Sequence, residues 1–320
     1  MPTDAPKFEI TTGARLHFGL LANNLASGRG FGGAGMMIDR PGFQVRVEEF
    51  DSDTIVGSAN VHDHLGRVLR KYRARCPVDN PLPSVRIEIT REIPAHIGFG
   101  SGTQLGMAVA KALSLCAGER DVSSVELARR IGRGARSAIG IHGFGEGGFL
   151  VDGGKLNSDE ISPRVARHDV PSGWRFVLMT PPAMAGLSGL AEINAFERLP
   201  PMPQTTTDRL CGIVVMQMIP ALANADCDRF GDAVYEFGQI AGQYFSAVQA
   251  GIYADQRMSD LVRQLRNHAI HGVGQTSWGP TIFAVCADDD SAASLAAELK
   301  RDNRWSDCAI QVAAALNRGA

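Results

Sequence analysis

Apolar and polar residues alternate through Phe8–Leu21, and again through Phe43–Phe50, where Phe-Gln-Val-Arg-Val-Glu sends every second side chain to one face. A period of two predicts half-buried strands, and Val85–Thr90 repeats it. Val61–Arg75 instead follows a helical period. Val61, Leu65, Val68, Leu69 and Tyr72 fall on one face and arginines on the other. An Ala-rich helix is predicted from Thr103 to Cys116, and a second from Ser123 to Ser137, opened by the capping-box run Ser-Ser-Val-Glu. The composition shifts at Pro163–Gly173, which predicts a division into residues 1–168 and 169–320. Beyond it come a strand (Trp174–Thr180), helices (Thr207–Ala223, Cys227–Ala250, Gln256–Asn267), a strand (Thr281–Cys286), a helix (Ser291–Lys300) and a last strand (Ala309–Ala313). Strands and helices mix without regular βαβ alternation, so two α+β domains are expected rather than a doubly wound sheet.

Composition narrows the functional classes. With 44% hydrophobic and 21% charged residues over 320 positions, the chain is an ordinary globular protein. A net charge of -2 and a pI near 6.4 argue against nucleic-acid binding. No apolar stretch is long enough to span a bilayer, and the N-terminus carries no apolar secretory segment. The six cysteines form no CxxC pair, which argues against zinc ribbons and disulfide scaffolds and for reduced thiols in the cytoplasm. Of 32 basic residues only five are lysine and 27 are arginine, a skew that a GC-rich genome explains as simply as anion binding does.

The chemistry gathers in glycine-rich segments. Gly98, Gly100, Ser101, Gly102, Thr103 and Gln104 stand between a predicted strand and a predicted helix. There the helix N-terminus offers free N–H groups to phosphate, and Ser101 adds a hydroxyl for phosphate or Mg²⁺. A tight turn needing glycine for geometry alone is the plain alternative. Three more such segments follow: Gly13–Gly35 with Arg15, His17 and Arg29; Gly132–Gly148 with Arg133, Arg136, His142 and Glu146; and Gly272–Pro280 with Gln275, Ser277 and Trp278. Together they suggest walls of one phosphate-rich pocket. Arg15 lies in an apolar strand, where an unpaired guanidinium is costly, so it needs a ligand or a carboxylate partner. Glu146 and Asp152 are candidates for steadying positive charge or holding Mg²⁺, with a turn or capping role open for Asp152. His17, His96 and His142 lack metal-ligand spacing, and His62 and His64 are expected at the surface.

The Pro94–Gln104 loop resembles the Pro-x-x-x-Gly-Leu-Gly-Ser-Ser motif of the GHMP kinase superfamily. The stretch from Ala14 to Gly33, the Arg136-Ser-Ala-Ile-Gly-Ile run with Glu146-Gly-Gly-Phe-Leu-Val-Asp152-Gly-Gly, and Gly274-Gln-Thr-Ser-Trp-Gly-Pro280 together resemble its β-ribofuranosylaminobenzene 5′-phosphate synthase family. That resemblance implies an N-terminal ribosomal protein S5 domain 2-like domain and a ferredoxin-like C-terminal domain. It also implies condensation of 5-phosphoribosyl 1-diphosphate with 4-aminobenzoate or a related benzoate, releasing diphosphate and CO₂, in tetrahydromethanopterin biosynthesis. Mg²⁺ is the expected cofactor, small molecules the expected partners, and a homodimer the expected assembly. In such a reaction Glu146, Arg15 and His17 would be catalytic, the loop and Arg136 would hold phosphate, and Arg29, Arg133, Gln275, Ser277 and Trp278 would bind substrate, Trp278 by stacking. Ser101 and Asp152 would hold the metal. An ATP-dependent small-molecule kinase is the alternative. Against it, Gly102 replaces the motif's second serine, and Glu146 stands near where many kinases place an aspartate.

Overall fold

Two long antiparallel strands, β1 (Lys7–Leu20) and β2 (Gly33–Glu49), form the spine of the first half in this computed structural model, which describes residues 7–23, 28–77, 81–182, 184–187, 189–249 and 251–320. The pairing slips between Thr12 and Ala14 and again between His17 and Gly19, so the segment bearing Arg15 and His17 is bracketed by two irregularities. β3 (Thr54–Val56), β4 (Val85–Arg91), β5 (Phe149–Asp152) and β6 (Arg164–His168) complete the sheet in the order β3-β4-β2-β5-β6, with β1 also on β2. Helices α1 (Ala59–Arg73), α2 (Ser101–Cys116), α3 (Ser124–Arg130) and α4 (Ile139–Glu146) belong to this half. α2 and α4 pack directly on β1 and β2.

The second sheet is antiparallel throughout, in the order β10-β7-β9-β8, built from β7 (Arg175–Thr180), β8 (Gly272–Gln275), β9 (Ile282–Cys286) and β10 (Ala309–Ala314). Its helices are α5 (Gly189–Arg198), α6 (Gln204–Ile213), α7 (Ile219–Ala223), α8 (Cys227–Phe245), α9 (Gln256–Asn267) and α10 (Asp289–Arg301). Alternation sends successive β7 side chains to opposite faces. Phe176 and Leu178 join the large core that also contains Leu16 and Phe149 of the first half, while Val177 and Met179 pack on Met258, Leu261 and Leu295 of α9 and α10. The two α+β halves are thus welded by one continuous core. The chain's end returns to the first half: Leu316 N–H donates to the Met37 carbonyl (3.0 Å) and Ala320 N–H to the Phe144 carbonyl (2.9 Å). Among the described residues no helix is long and apolar enough to cross a membrane.

Several elements depart from the periodicity. The helix predicted to run to Ser137 stops at Arg130, because Gly132 and Gly134 turn the chain at φ 65° and 97°. The helix predicted over Thr207–Ala223 is α6 and α7 joined by a π-helical turn, Val214–Met218, just before Pro220. Proline has no N–H to give the preceding turn, and its ring displaces the carbonyl there. The helix expected to reach Ala250 ends at Phe245. α4, in a run read only as glycine-rich, is a helix pressed onto β2, where a Cβ at Gly143 would strike the Met37 side chain.

Candidate functional site

Residues 98–104 enter α2 through Gly98 (φ 94°) and Gly100 (φ 69°), conformations that glycine adopts without a Cβ penalty. The Gly100 carbonyl accepts the N–H groups of Thr103 (3.0 Å) and Gln104 (3.1 Å). That leaves Ser101 and Gly102 N–H at the positive end of a 16-residue helix. Thr276, buried and unforeseen, joins three distant segments: its hydroxyl donates to the Gly98 carbonyl (2.9 Å) and accepts from His17 N–H (3.0 Å). Ser277 N–H donates to the His17 carbonyl (2.9 Å), with Ser277 itself at φ 55°. Phe31, His96 and Ser277 all hold positive φ in these segments, backbone strain of the kind that gathers at functional sites.

Arg15 crosses this junction. Its Cγ and Nε would lie 3.0 Å from a Cβ at Gly100, and its Cδ 3.8 Å from one at Gly140, so the side chain passes between the loop and the start of α4. Five buried side-chain polar atoms lack a hydrogen-bond partner among the described residues, and two of them are Arg15 Nη1 and His17 Nε2. Burial pushes the Arg15 guanidinium down to about 10, while Glu192 and Asp152 favour its charge and Arg136 opposes it. His17, two residues along the same strand face, is held neutral, well below its usual range, by burial and by Arg15. A partly buried guanidinium with a buried, unused donor is a place for an anion.

Arg136 and Trp278 meet a residue that the sequence reading missed, Glu192 of α5. Arg136 Nη2 donates to Glu192 Oε2 (2.7 Å) and Trp278 Nε1 to Oε1 (3.1 Å). The Arg136 guanidinium lies 4.9 Å from the Phe196 ring centre, and Lys155 Nζ 5.8 Å from that of Phe31. Phe196 packs edge-on against Phe31, Phe245 and Trp278 at 5.9, 6.0 and 5.4 Å. These rings are half-buried, whereas Phe18, Phe149 and Phe230 stack inside the core.

A second cationic group flanks the loop. Arg133 Nη2 donates to the Gly102 carbonyl (2.8 Å) and contacts His64 Nε2 (3.1 Å). Burial, then Arg133 and Arg67, push His64 down to about 4, so it is a neutral, half-buried partner of a guanidinium rather than a surface residue.

Other expected site residues have structural occupations. Glu146 sits at the far end of α4 from Gly140, about 9 Å of helix away. There it pairs with Arg164 at 2.5 Å on a half-exposed edge, so its carboxylate is engaged there rather than at Arg15. Asp152 is fully buried and accepts from Ser137 Oγ (2.8 Å), Ala138 N–H (2.8 Å) and Gly154 N–H (3.2 Å). It caps the entry to α4, and both oxygens are spent; burial raises its pKa despite these bonds. Gln104 is buried between Thr12 and the Gly140 carbonyl, so its amide does not reach phosphate. Gln275 accepts from Ala254 N–H (2.6 Å) and donates to the Ser277 carbonyl (3.1 Å), bracing its own loop. Arg29 is pinned to the Gly153 and Gly154 carbonyls and to Glu160. His142 meets the Ser162 carbonyl (2.8 Å), and His96 lies exposed. Asp152 is engaged in these bonds, and no cluster of three His, Cys, Asp or Glu suited to a metal occurs among the described residues. Ser101 stands at the N-terminus of α2.

Comparisons agree with this architecture. The family model for the GHMP kinases N terminal domain matches residues 63–148, and that for the GHMP kinases C terminal matches residues 218–304. The β-ribofuranosylphenol 5′-phosphate synthase of Methanothermobacter thermautotrophicus is 29% identical over 332 residues, covering 97% of each chain. The protein of the same name from Archaeoglobus fulgidus is 29% identical over 325 residues at the same coverage. In fold, the chain superposes on mevalonate diphosphate decarboxylase from Staphylococcus aureus with a TM-score of 0.69 at 15% identity, covering 98% of this chain and 97% of that one. Homoserine kinase from Cytophaga hutchinsonii gives 0.65 at 14% identity, covering 100% and 98%. The chain belongs to the GHMP kinase superfamily and is similar over nearly its whole length to the ribofuranosylphenol phosphate synthases.

Proposed function

We propose that this chain is a β-ribofuranosylbenzene 5′-phosphate synthase, joining 5-phosphoribosyl 1-diphosphate to 4-hydroxybenzoate or 4-aminobenzoate. The bond from the anomeric carbon to the diphosphate oxygen breaks, and diphosphate leaves with the electron pair. The carboxylate-bearing ring carbon attacks the anomeric carbon, and loss of CO₂ returns the pair to the ring. No proton has to be removed from the acceptor at any point. One observation carries this reading against a kinase: the two carboxylates whose charge reaches Arg15, Glu192 and Asp152, are both held in hydrogen bonds, and the α4 residue beside Arg15 is Gly140. Phosphorylating an alcohol calls for a base or a positioning carboxylate there; the condensation calls for donors. The Arg15 guanidinium and the N–H groups of Ser101 and Gly102 are donors aimed where diphosphate charge would develop. Mg²⁺, held by the diphosphate oxygens beside Ser101, would share the leaving group's charge, and the reaction belongs to tetrahydromethanopterin biosynthesis in the cytoplasm.

The test uses purified full-length chain, phosphoribosyl diphosphate, Mg²⁺ and carboxyl-labelled 4-hydroxybenzoate or 4-aminobenzoate. Labelled CO₂ and diphosphate are expected in equal amounts. ATP-dependent ADP formation with a small alcohol, without CO₂, would establish the kinase instead.

A further inference from the structure

The half-buried aromatic wall is unlike the core aromatics in a way that points to a ligand. Its rings are half-buried, and two cations lie over two of them: the partly exposed Arg136 over Phe196 and the buried Lys155 over Phe31. Such a surface complements an aryl anion, which offers a ring to the rings and a charge to Arg136. The position for that charge is already drawn by Glu192. One carboxylate oxygen takes a guanidinium donor at 2.7 Å and the other an indole donor at 3.1 Å. This is the two-donor arrangement that a benzoate carboxylate would use.

Resting on the synthase reading, we propose that Arg136 and Trp278 form the acceptor's carboxylate clamp, and that Glu192 fills it as an internal surrogate until the benzoate displaces it. The exchange is easy for two reasons. Both partners of the Arg136–Glu192 pair are partly exposed, at 29% and 21%, and such pairs contribute little to stability. α5 is also lightly anchored: of its residues only Ala195 is buried, while Leu190 and Ile193 face outward. Decarboxylation then removes the group that competes with Glu192. The product's aryl ring, now without its carboxylate, no longer holds the clamp, Glu192 returns to it, and the aryl end of the product is freed while its 5′-phosphate keeps its own contacts.

Titration calorimetry of the full chain with 4-hydroxybenzoate, at saturating inorganic diphosphate, tests this. Glu192→Gln keeps the size of the side chain and removes the competing charge, so benzoate should bind about fivefold to tenfold more tightly than to the wild type. Phenol, which has no carboxylate, should show no such gain, and Arg136→Gln should weaken benzoate at least tenfold. Because Glu192→Gln is expected to gain affinity, a misfolded variant cannot imitate the result. Unchanged or weaker benzoate binding in Glu192→Gln, or an equal gain for phenol, overturns the proposal. The labelled CO₂ assay separates the two readings. Tightened binding without CO₂ release leaves the clamp and sinks the synthase, whereas CO₂ release with unaltered affinity does the reverse.

Discussion

Replacing Gly100 by Ala probes whether Arg15 is held against the phosphate loop, and the structure supplies its own control. Gly100 lies at φ 69°, and a Cβ there would meet Arg15 Cγ and Nε at 3.0 Å, tighter than ordinary packing. Gly118, just past the end of α2, lies at φ 78° with nothing within 4 Å of an added Cβ. Gly118→Ala should therefore cost only the left-handed backbone penalty, about 1 kcal/mol. Gly100→Ala should add a packing term, for a total of about 2–3 kcal/mol, because the Arg15 stem must give way by a few tenths of an ångström. The kinetic effect should separate the two variants further. A displaced guanidinium costs about 10- to 100-fold in kcat/KM for phosphoribosyl diphosphate, whereas Gly118→Ala should leave it unchanged. Urea unfolding and initial rates of CO₂ release measure both quantities. If Gly100→Ala matches Gly118→Ala in stability and in kcat/KM, Arg15 does not work from this loop.

Glu146→Gln should leave kcat within about twofold and stability within about 1 kcal/mol, since a half-exposed pair with Arg164 is all it removes; a large drop in the CO₂-release rate would restore it to the reaction. Asp152→Asn turns one acceptor oxygen into a donor facing either Ser137 Oγ and the Ala138 N–H or the Gly154 N–H, so it should cost about 1–3 kcal/mol in urea unfolding. Raising Mg²⁺ tenfold should not recover activity beyond the folded fraction; full recovery would mark Asp152 as a metal ligand. His64 has a folded pKa near 4 against an ordinary 6.5, so the unfolded chain binds its proton more readily and stability should fall as pH drops through that window. Allowing for the ring's partial exposure, the loss is about 1–3 kcal/mol. His64→Gln should flatten the slope of urea midpoints between pH 4 and 6.5, and an unchanged slope would mean that the ring is not held neutral.

Elements with strong periodicity were legible within a few residues. α1 shows its five apolar positions in the sequence, and all five are buried. β1 and α9 are equally direct. α4 was not legible, because glycine carries no hydropathy, and what selects it there is contact: Met37, Ser124 and Gln104 occupy the space a side chain would need at Gly143, Gly145 and Gly140. The same blindness explains the fate of Glu146. Its flanking glycines suggested close approach to a ligand, but they serve packing at the end of α4 remote from Arg15. Arg15 was legible for a physical reason, the cost of an unpaired guanidinium in an apolar strand. Glu192 was not, since its two partners stand 56 and 86 residues away and nothing in Leu-Ala-Glu-Ile-Asn marks it. Gln104 and Gln275 were misread because a glutamine beside a glycine-rich loop looks the same whether it faces a ligand or the backbone.

A shared fold does not force a shared reaction, and the α4 residue beside Arg15 bears on which reaction the site favours. A carboxylate at position 140 would lie within reach of Arg15 and would also crowd Gln104 Nε2, which a Cβ there already approaches to 3.3 Å. It would neutralise the Arg15 guanidinium, whose Nη1 donor is buried and unused. With glycine at that position, Arg15 keeps its charge for an incoming anion, and Gln104 remains free to tie β1 to α4 through Thr12 and the Gly140 carbonyl. The consequence is directional. A site that holds polyphosphate with uncompensated cations favours departure of diphosphate, since leaving-group charge is what those cations stabilise. A site that pairs the same cation with a base favours attack by a deprotonated alcohol. With glycine rather than a carboxylate beside Arg15, the site therefore favours chemistry at the carbon bearing the diphosphate over chemistry at phosphorus.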